Sequence, residues 1–128
     1  MTETEKITIN IGSVDLGRID LLVKEGFYSN RTDFIRTAIR NQLERQSSTV
    51  DSIKSRKSMV IGTQVYNYHE LMEKKENNEM VNMKVIGMLI LADDITPQLA
   101  LDTIQSITVH GVFKAPEDVK EALKDRIS

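Results

Sequence analysis

The chain has 128 residues, 28% charged and 40% hydrophobic, with a formal net charge of −2 and no cysteine. That length suits one domain or two very small ones, and the missing cysteines exclude a disulfide framework and thiolate chemistry. No apolar run approaches the roughly 20 residues of a bilayer-spanning helix, and the start, MTETEK, has no apolar signal core. A cytoplasmic location with no membrane partner is therefore expected.

The charge is unevenly spread. Residues 1–46 hold seven basic and seven acidic side chains, residues 47–58 three and one, and residues 59–128 seven and eleven. The acidity lies in the C-terminal half. A local basic face at the N-terminal end stays compatible with an anionic partner, because such partners respond to local rather than total charge.

The first predicted element is a strand over residues 6–11, where Ile7, Ile9 and Ile11 alternate with Lys6, Thr8 and Asn10. Period two puts the isoleucines on one face and the polar trio on the other. Gly12 breaks the strand, and Ser13 is expected to cap a helix over about Val14 to Glu25 whose apolar stripe is Leu16, Ile19, Leu22 and Val23. Gly17 within it reads either as a close approach of a neighbouring helix or as simple tolerance. Gly26 has the character of a left-handed helix terminator, with Phe27 supplying the hydrophobic contact that often follows. A second helix then starts near Ser29 or Asn30. If Asn30 caps, Asp33 falls where an acidic side chain is favourable. Its apolar face, Phe34, Ile35, Ala38, Ile39 and Leu43, is broad enough to meet more than one helix.

Such a unit cannot be a stable monomer. One strand has no sheet to join, and two short helices bury too little apolar surface to offset chain entropy. Two copies solve both problems. The strands pair antiparallel and the helices wrap a shared core, to which we assign Ile7, Ile9, Ile11, Leu22, Phe34, Ile35 and Ile39. The paired strands then expose a polar ribbon narrow enough for the major groove of DNA.

The order KITINI, helix, GFYSNRTDFIRTAIR resembles the ribbon-helix-helix family of CopG, Arc and MetJ-like regulators, and is similar also to the DNA-binding half of nickel-responsive repressors. The resemblance covers about 41 residues. It implies an intertwined homodimer in which Lys6, Thr8 and Asn10 read base edges of double-stranded DNA, while Ser29, Asn30 and Arg31, at the start of the second helix, hold a phosphate. The chemistry fits both roles. Lys donates to guanine, Asn pairs with adenine, Thr bonds a base or touches the thymine methyl, and a helix start attracts phosphate. Some family members carry a more basic strand. Here Lys6 is the only charged strand residue, preceded by Glu3 and Glu5, which points to cooperative binding by several dimers.

Residues 47–58, Ser-rich and basic, read as a linker or a frayed helix end, with Lys54, Arg56 and Lys57 as further candidates for phosphate contact. Beyond them, Val60-Ile61-Gly62, Val85-Ile86-Gly87 and Val109-His110-Gly111 recur at offsets of 25 and 24 residues. Each precedes a helix-like stretch, over about Tyr68 to Glu76, from Pro97 and from Pro116. The last two align as P-x-x-[AV]-x-x-x-[IL], with Thr96 as cap before Pro97. The pattern reads as a small solenoid-like β/α repeat or as a single small α+β domain, with Val85 to Leu91 a buried strand in either case.

The expected fold class is thus α+β: a ribbon-helix-helix domain over residues 1–46, a linker over 47–58, and a β/α repeat-like oligomerisation or effector domain over 59–128. His69 and His110, with no Cys, do not make the metal cluster of a nickel-responsive repressor. Asp93-Asp94 reads as a polar turn, and Met72, Met80, Met83 and Met88 as core filling. No nucleophile–base pair or phosphate loop stands out, so no enzyme, metal or cofactor is expected. The expected function is sequence-specific transcription regulation. An antitoxin with a toxin-gripping C-terminal half and a DNA-tethered assembly protein are the alternatives.

Overall fold

The structure, a computed structural model, describes residues 4–128; Glu3 lies outside the described residues. The chain forms two compact units, which divide between Ser48 and Thr49.

The N-terminal unit contains helices α1 (Ser13–Lys24) and α2 (Arg31–Arg45). The helix α1 starts one residue earlier than expected, with Gly12 rather than Ser13 in the cap position and no side-chain cap. It ends as its sequence dictates. Gly26 takes φ +88°, and the amides of Gly26 and Phe27 return to the carbonyls of Val23 and Leu22 at 3.1 and 3.0 Å, which satisfies two of the carbonyls left open at a helix end. Phe27, however, is 72% exposed and makes no such buried contact within one chain. Asn30 caps α2, its side chain accepting from the Asp33 amide at 2.7 Å, and the Asp33 carboxylate in turn accepts from the Ser29 amide at 2.9 Å.

Residues 6–11 form no strand within a single chain. Strand geometry needs a neighbour for its backbone donors and acceptors, and the segment has none in one copy. Around it, Ile19 is the single buried hydrophobic side chain of this unit among the described residues.

The C-terminal unit alternates helix and strand. It carries α3 (Ser47–Lys57, which begins just before the unit boundary), β1 (Val60–Tyr66), α4 (Tyr68–Glu76), β2 (Val81–Leu91), α5 (Pro97–Thr103), β3 (Ile104–Lys114), α6 (Glu117–Leu123) and a closing 3-10 turn, Lys124–Arg126. The stretch expected as a linker or frayed helix end is α3, with Lys54, Arg56 and Lys57 in its last turn, where cations suit the helix dipole. The helix α4 covers the expected span and carries a capping box between Asn67 and Glu70. Thr96 caps α5 ahead of Pro97 as expected, whereas Pro116 occupies the cap position of α6 rather than its first turn.

The three strands are parallel and lie side by side in chain order. Gly62, Gly87 and Gly111 form one row across the sheet. All three have left-handed φ, between +125° and +135°. A Cβ on Gly87 would strike the Gly62 carbonyl, and one on Gly111 the Gly87 carbonyl, so only glycine fits this row. Met83, Val85, Leu89 and Leu91 on one face of β2 pack with Leu71 of α4, Leu99 and Ala100 of α5, and Val119 and Leu123 of α6. The helices α4, α5 and α6 therefore share one face of the sheet. Ala100, Ile104, Val119 and Leu123, the aligned positions of the two Pro-led segments, are completely buried. Arg126 closes the end of the unit by donating to the carbonyls of Leu101 and Ile104, both at 2.7 Å.

Candidate nucleic-acid interface

The side chains of Lys6, Thr8 and Asn10 are all exposed on the extended segment before α1. Ile7, Ile9 and Ile11 beside them are exposed as well, at 78%, 62% and 37%. Leu22, Phe34 and Ile35 are half-buried, and Ile39 is exposed. One copy therefore leaves the assigned dimer core largely in water, against the hydrophobic preference of about 25 cal/mol per Å². Tyr28 and Phe34 meet edge to face with centroids 5.0 Å apart, which fixes the chain as it enters α2.

The start of α2 forms a concavity of about 340 Å³ lined by Ser29, Asn30, Thr32, Asp33, Arg36 and Arg40. Its first-turn amides at Arg31 and Thr32 have no intrahelical acceptor and carry the positive end of the helix dipole. Arg36 and Arg40 have no ion-pair partner among the described residues, so their charge is available in the cleft. The Asp33 carboxylate is the one negative group there, and it is engaged with the Ser29 amide.

Of the three residues expected to hold a phosphate, Ser29 and Asn30 line this cleft. Arg31 is held elsewhere. Its Nε and Nη2 donate to the two carboxylate oxygens of Asp20, both at 2.8 Å, a bidentate clamp between α1 and the start of α2. The hydrogen bond from Arg31 holds the Asp20 carboxyl below the usual carboxylate range, and the same bond raises Arg31. Thr32, Arg36 and Arg40 are the residues that sequence reasoning passed over. Their spacing of four places them on one helix face, a signal that was readable before the structure.

Two comparisons bear on this geometry. The profile of the ribbon-helix-helix transcriptional regulator family matches residues 2–120. The chain belongs to this family. The match extends well past the 41 residues that carry the resemblance and takes in most of the C-terminal unit. An uncharacterised protein of Methanocaldococcus jannaschii is 44% identical over 39 residues, which is 30% of this chain and 40% of that protein. No solved structure matches the chain. Among the described residues of this chain, no helix is long and apolar enough to cross a membrane, and no group of three or more His, Cys, Asp or Glu side chains is placed to hold a metal ion.

Proposed function

We propose that this regulator acts as a homodimer that inserts a two-stranded antiparallel ribbon, residues 6–11 of each copy, into the major groove. Lys6, Thr8 and Asn10 contact base edges and supply specificity. Ile7, Ile9 and Ile11, with Leu22, Phe34, Ile35 and Ile39, close the core between the copies. Ser29, Asn30 and the first-turn amides of α2 hold a backbone phosphate, with Arg36 and Arg40 adding charge. Arg31 contributes through its clamp on Asp20, which sets the angle at which α2 presents that cleft.

The observation that carries this reading is the state of the N-terminal unit in one copy. A segment with strand alternation has no partner, and its apolar side chains are exposed beside two helices that bury only Ile19. A second copy relieves both deficits at once. The folded C-terminal unit, with its own buried core, supports a regulator over an antitoxin whose tail folds on a toxin. We assign it, as a small solenoid-like β/α module, to oligomerisation or regulation.

Selection of bound duplexes from random DNA, combined with light scattering, tests the proposal. The expected result is a palindromic or repeated short site bound by a dimer or a multiple of it. A monomer at micromolar concentration, or retention of DNA without sequence preference, would overturn it.

A further inference from the structure

The C-terminal sheet has two outer edges, and the chain treats them differently. Along β3 the C-terminus folds back: Ile127 bridges Ile107 in parallel, the Ser128 amide donates to the Ile107 carbonyl at 2.9 Å, and the hydroxyls of Ser128 and Thr108 meet at 3.0 Å. Among the described residues β1 has no such cover. It pairs with β2 alone there, and Val60, Ile61 and Val65 are 44%, 49% and 53% exposed.

A bare edge strand is a template for another strand, and proteins that stay apart blunt it with charges, proline, bulges or a covering segment. The strand β1, VIGTQVY, has no charge and no proline, and its register with β2 runs without a shift. The glycine row points the same way. Gly87 and Gly111 each present bare backbone to the preceding strand, whereas Gly62, with the same left-handed φ, presents it to open space. A glycine within a strand marks a place where another backbone can approach closely.

We propose that the β1 edge pairs with β1 of a second copy of this chain, antiparallel across a two-fold axis at Thr63. This deepens the oligomerisation role assigned above and rests on it, because the proposed N-terminal dimer would bring two such edges into one particle. A head-to-tail arrangement would need the β3 edge, which Ile127 and Ser128 obstruct at Ile107 and Thr108, and it would not close. The two-fold arrangement uses only the free edge. The register centred on Thr63 pairs all seven residues, with Ile61 opposite the partner's Val65 and Val60 opposite the partner's Tyr66. Apolar side chains then meet on both faces, and Ile61 and Val65 extend the half-exposed row of Ile86, Met88 and Ile90 across both copies.

Because the chain has no cysteine, Thr63→Cys in the full-length protein gives an unambiguous cross-link. Directly opposed residues in an antiparallel pair lie about 4.5–5.5 Å apart at Cα, within disulfide range. Mild oxidation should convert this variant almost wholly to a linked dimer, while Gln105→Cys, exposed on the far strand, stays unlinked. Adding Ile61→Lys and Val65→Lys, both at exposed positions, should slow the linkage at least tenfold and leave operator binding measurable. Linkage at Thr63→Cys no faster than at Gln105→Cys would overturn the edge pairing. If that chain still bound its operator as a dimer, the edge pairing alone would fall. Linkage in a chain without sequence preference for DNA would uphold the edge and sink the proposed function.

Discussion

Asp20 receives both Nε and Nη2 of Arg31 at 2.8 Å, so the middle of α1 is tied to the first residue of α2 by a planar two-point contact. The clamp depends on an ionised carboxylate. Asp20 titrates below the usual carboxylate range because of its bond to Arg31, so its contribution is complete above the ordinary carboxylate pKa and is lost as pH falls through the lowered value. Thermal unfolding at fixed protein concentration should show wild type above Asp20→Asn at neutral pH, with the gap closing in strong acid. Arg31→Lys should behave like Asp20→Asn at neutral pH, because an ammonium cannot reproduce the fork. A gap between wild type and Asp20→Asn that persisted in strong acid would contradict the clamp.

Base reading is tested at the ribbon. Asn10→Ala should weaken operator binding roughly five- to hundredfold, since a good base contact is worth about 1–3 kcal/mol. It should relax the base preference at one position per half-site, visible in a repeated selection. Lys6→Ala should lower affinity by a similar factor and flatten the salt dependence as well. Equal loss on random DNA would place both residues on the backbone instead.

The cleft at the start of α2 predicts a different signature. Arg36→Ala and Arg40→Ala should weaken binding on all sequences alike, and each should reduce the slope of log affinity against log salt by about 0.9. A titration at three salt concentrations decides the matter.

The proposed dimer is tested at the apolar face of the N-terminal unit. Ile39→Asp places a carboxylate where we assign dimer core, at an expected cost of at least about 2 kcal/mol. Light scattering should show dissociation, and helical content should fall. The C-terminal unit should keep its own melting transition in calorimetry.

The glycine row sets the C-terminal sheet. Gly87→Ala requires an L side chain at φ +135° and drives its Cβ into the Gly62 carbonyl. Left-handed backbone of this kind costs about 1–3 kcal/mol, and the clash adds to it, so denaturant melts should show a loss of about 3 kcal/mol. Gly12→Ala is the control: its φ is −64°, and nothing lies within 4 Å of the added carbon, so stability should change little.

The two N-terminal helices were legible because their signals are local. Asn30 as cap, Gly26 as terminator and the spacing of Leu16, Ile19, Leu22 and Val23 act within a few residues. The three V-x-G segments and the Thr96-Pro97 start were legible for the same reason. The helix α3 was not, because its apolar pattern is thin and its serines read as loop. Arg31 was assigned to phosphate because its charge is visible in the sequence, while its partner Asp20 lies eleven residues away and meets it only once α1 and α2 pack.

The amino-acid sequence by itself determined the family and the alternation of Ile7, Ile9 and Ile11 with Lys6, Thr8 and Asn10. It also determined that the N-terminal unit carries more apolar surface than one copy buries, since two short amphipathic helices have little core to offer. The tertiary structure alone decided which charges remain available, because pairing is a matter of distance: Arg31 is held by Asp20, and Arg36 and Arg40 are left to the cleft. It alone decided that Gly62, Gly87 and Gly111 stand in one row, and that the C-terminal residues meet the edge of β3 at Ile107 and Thr108 while β1, among the described residues, pairs with β2 alone. Register and edge exposure arise between strands some 25 residues apart, where no local preference reaches.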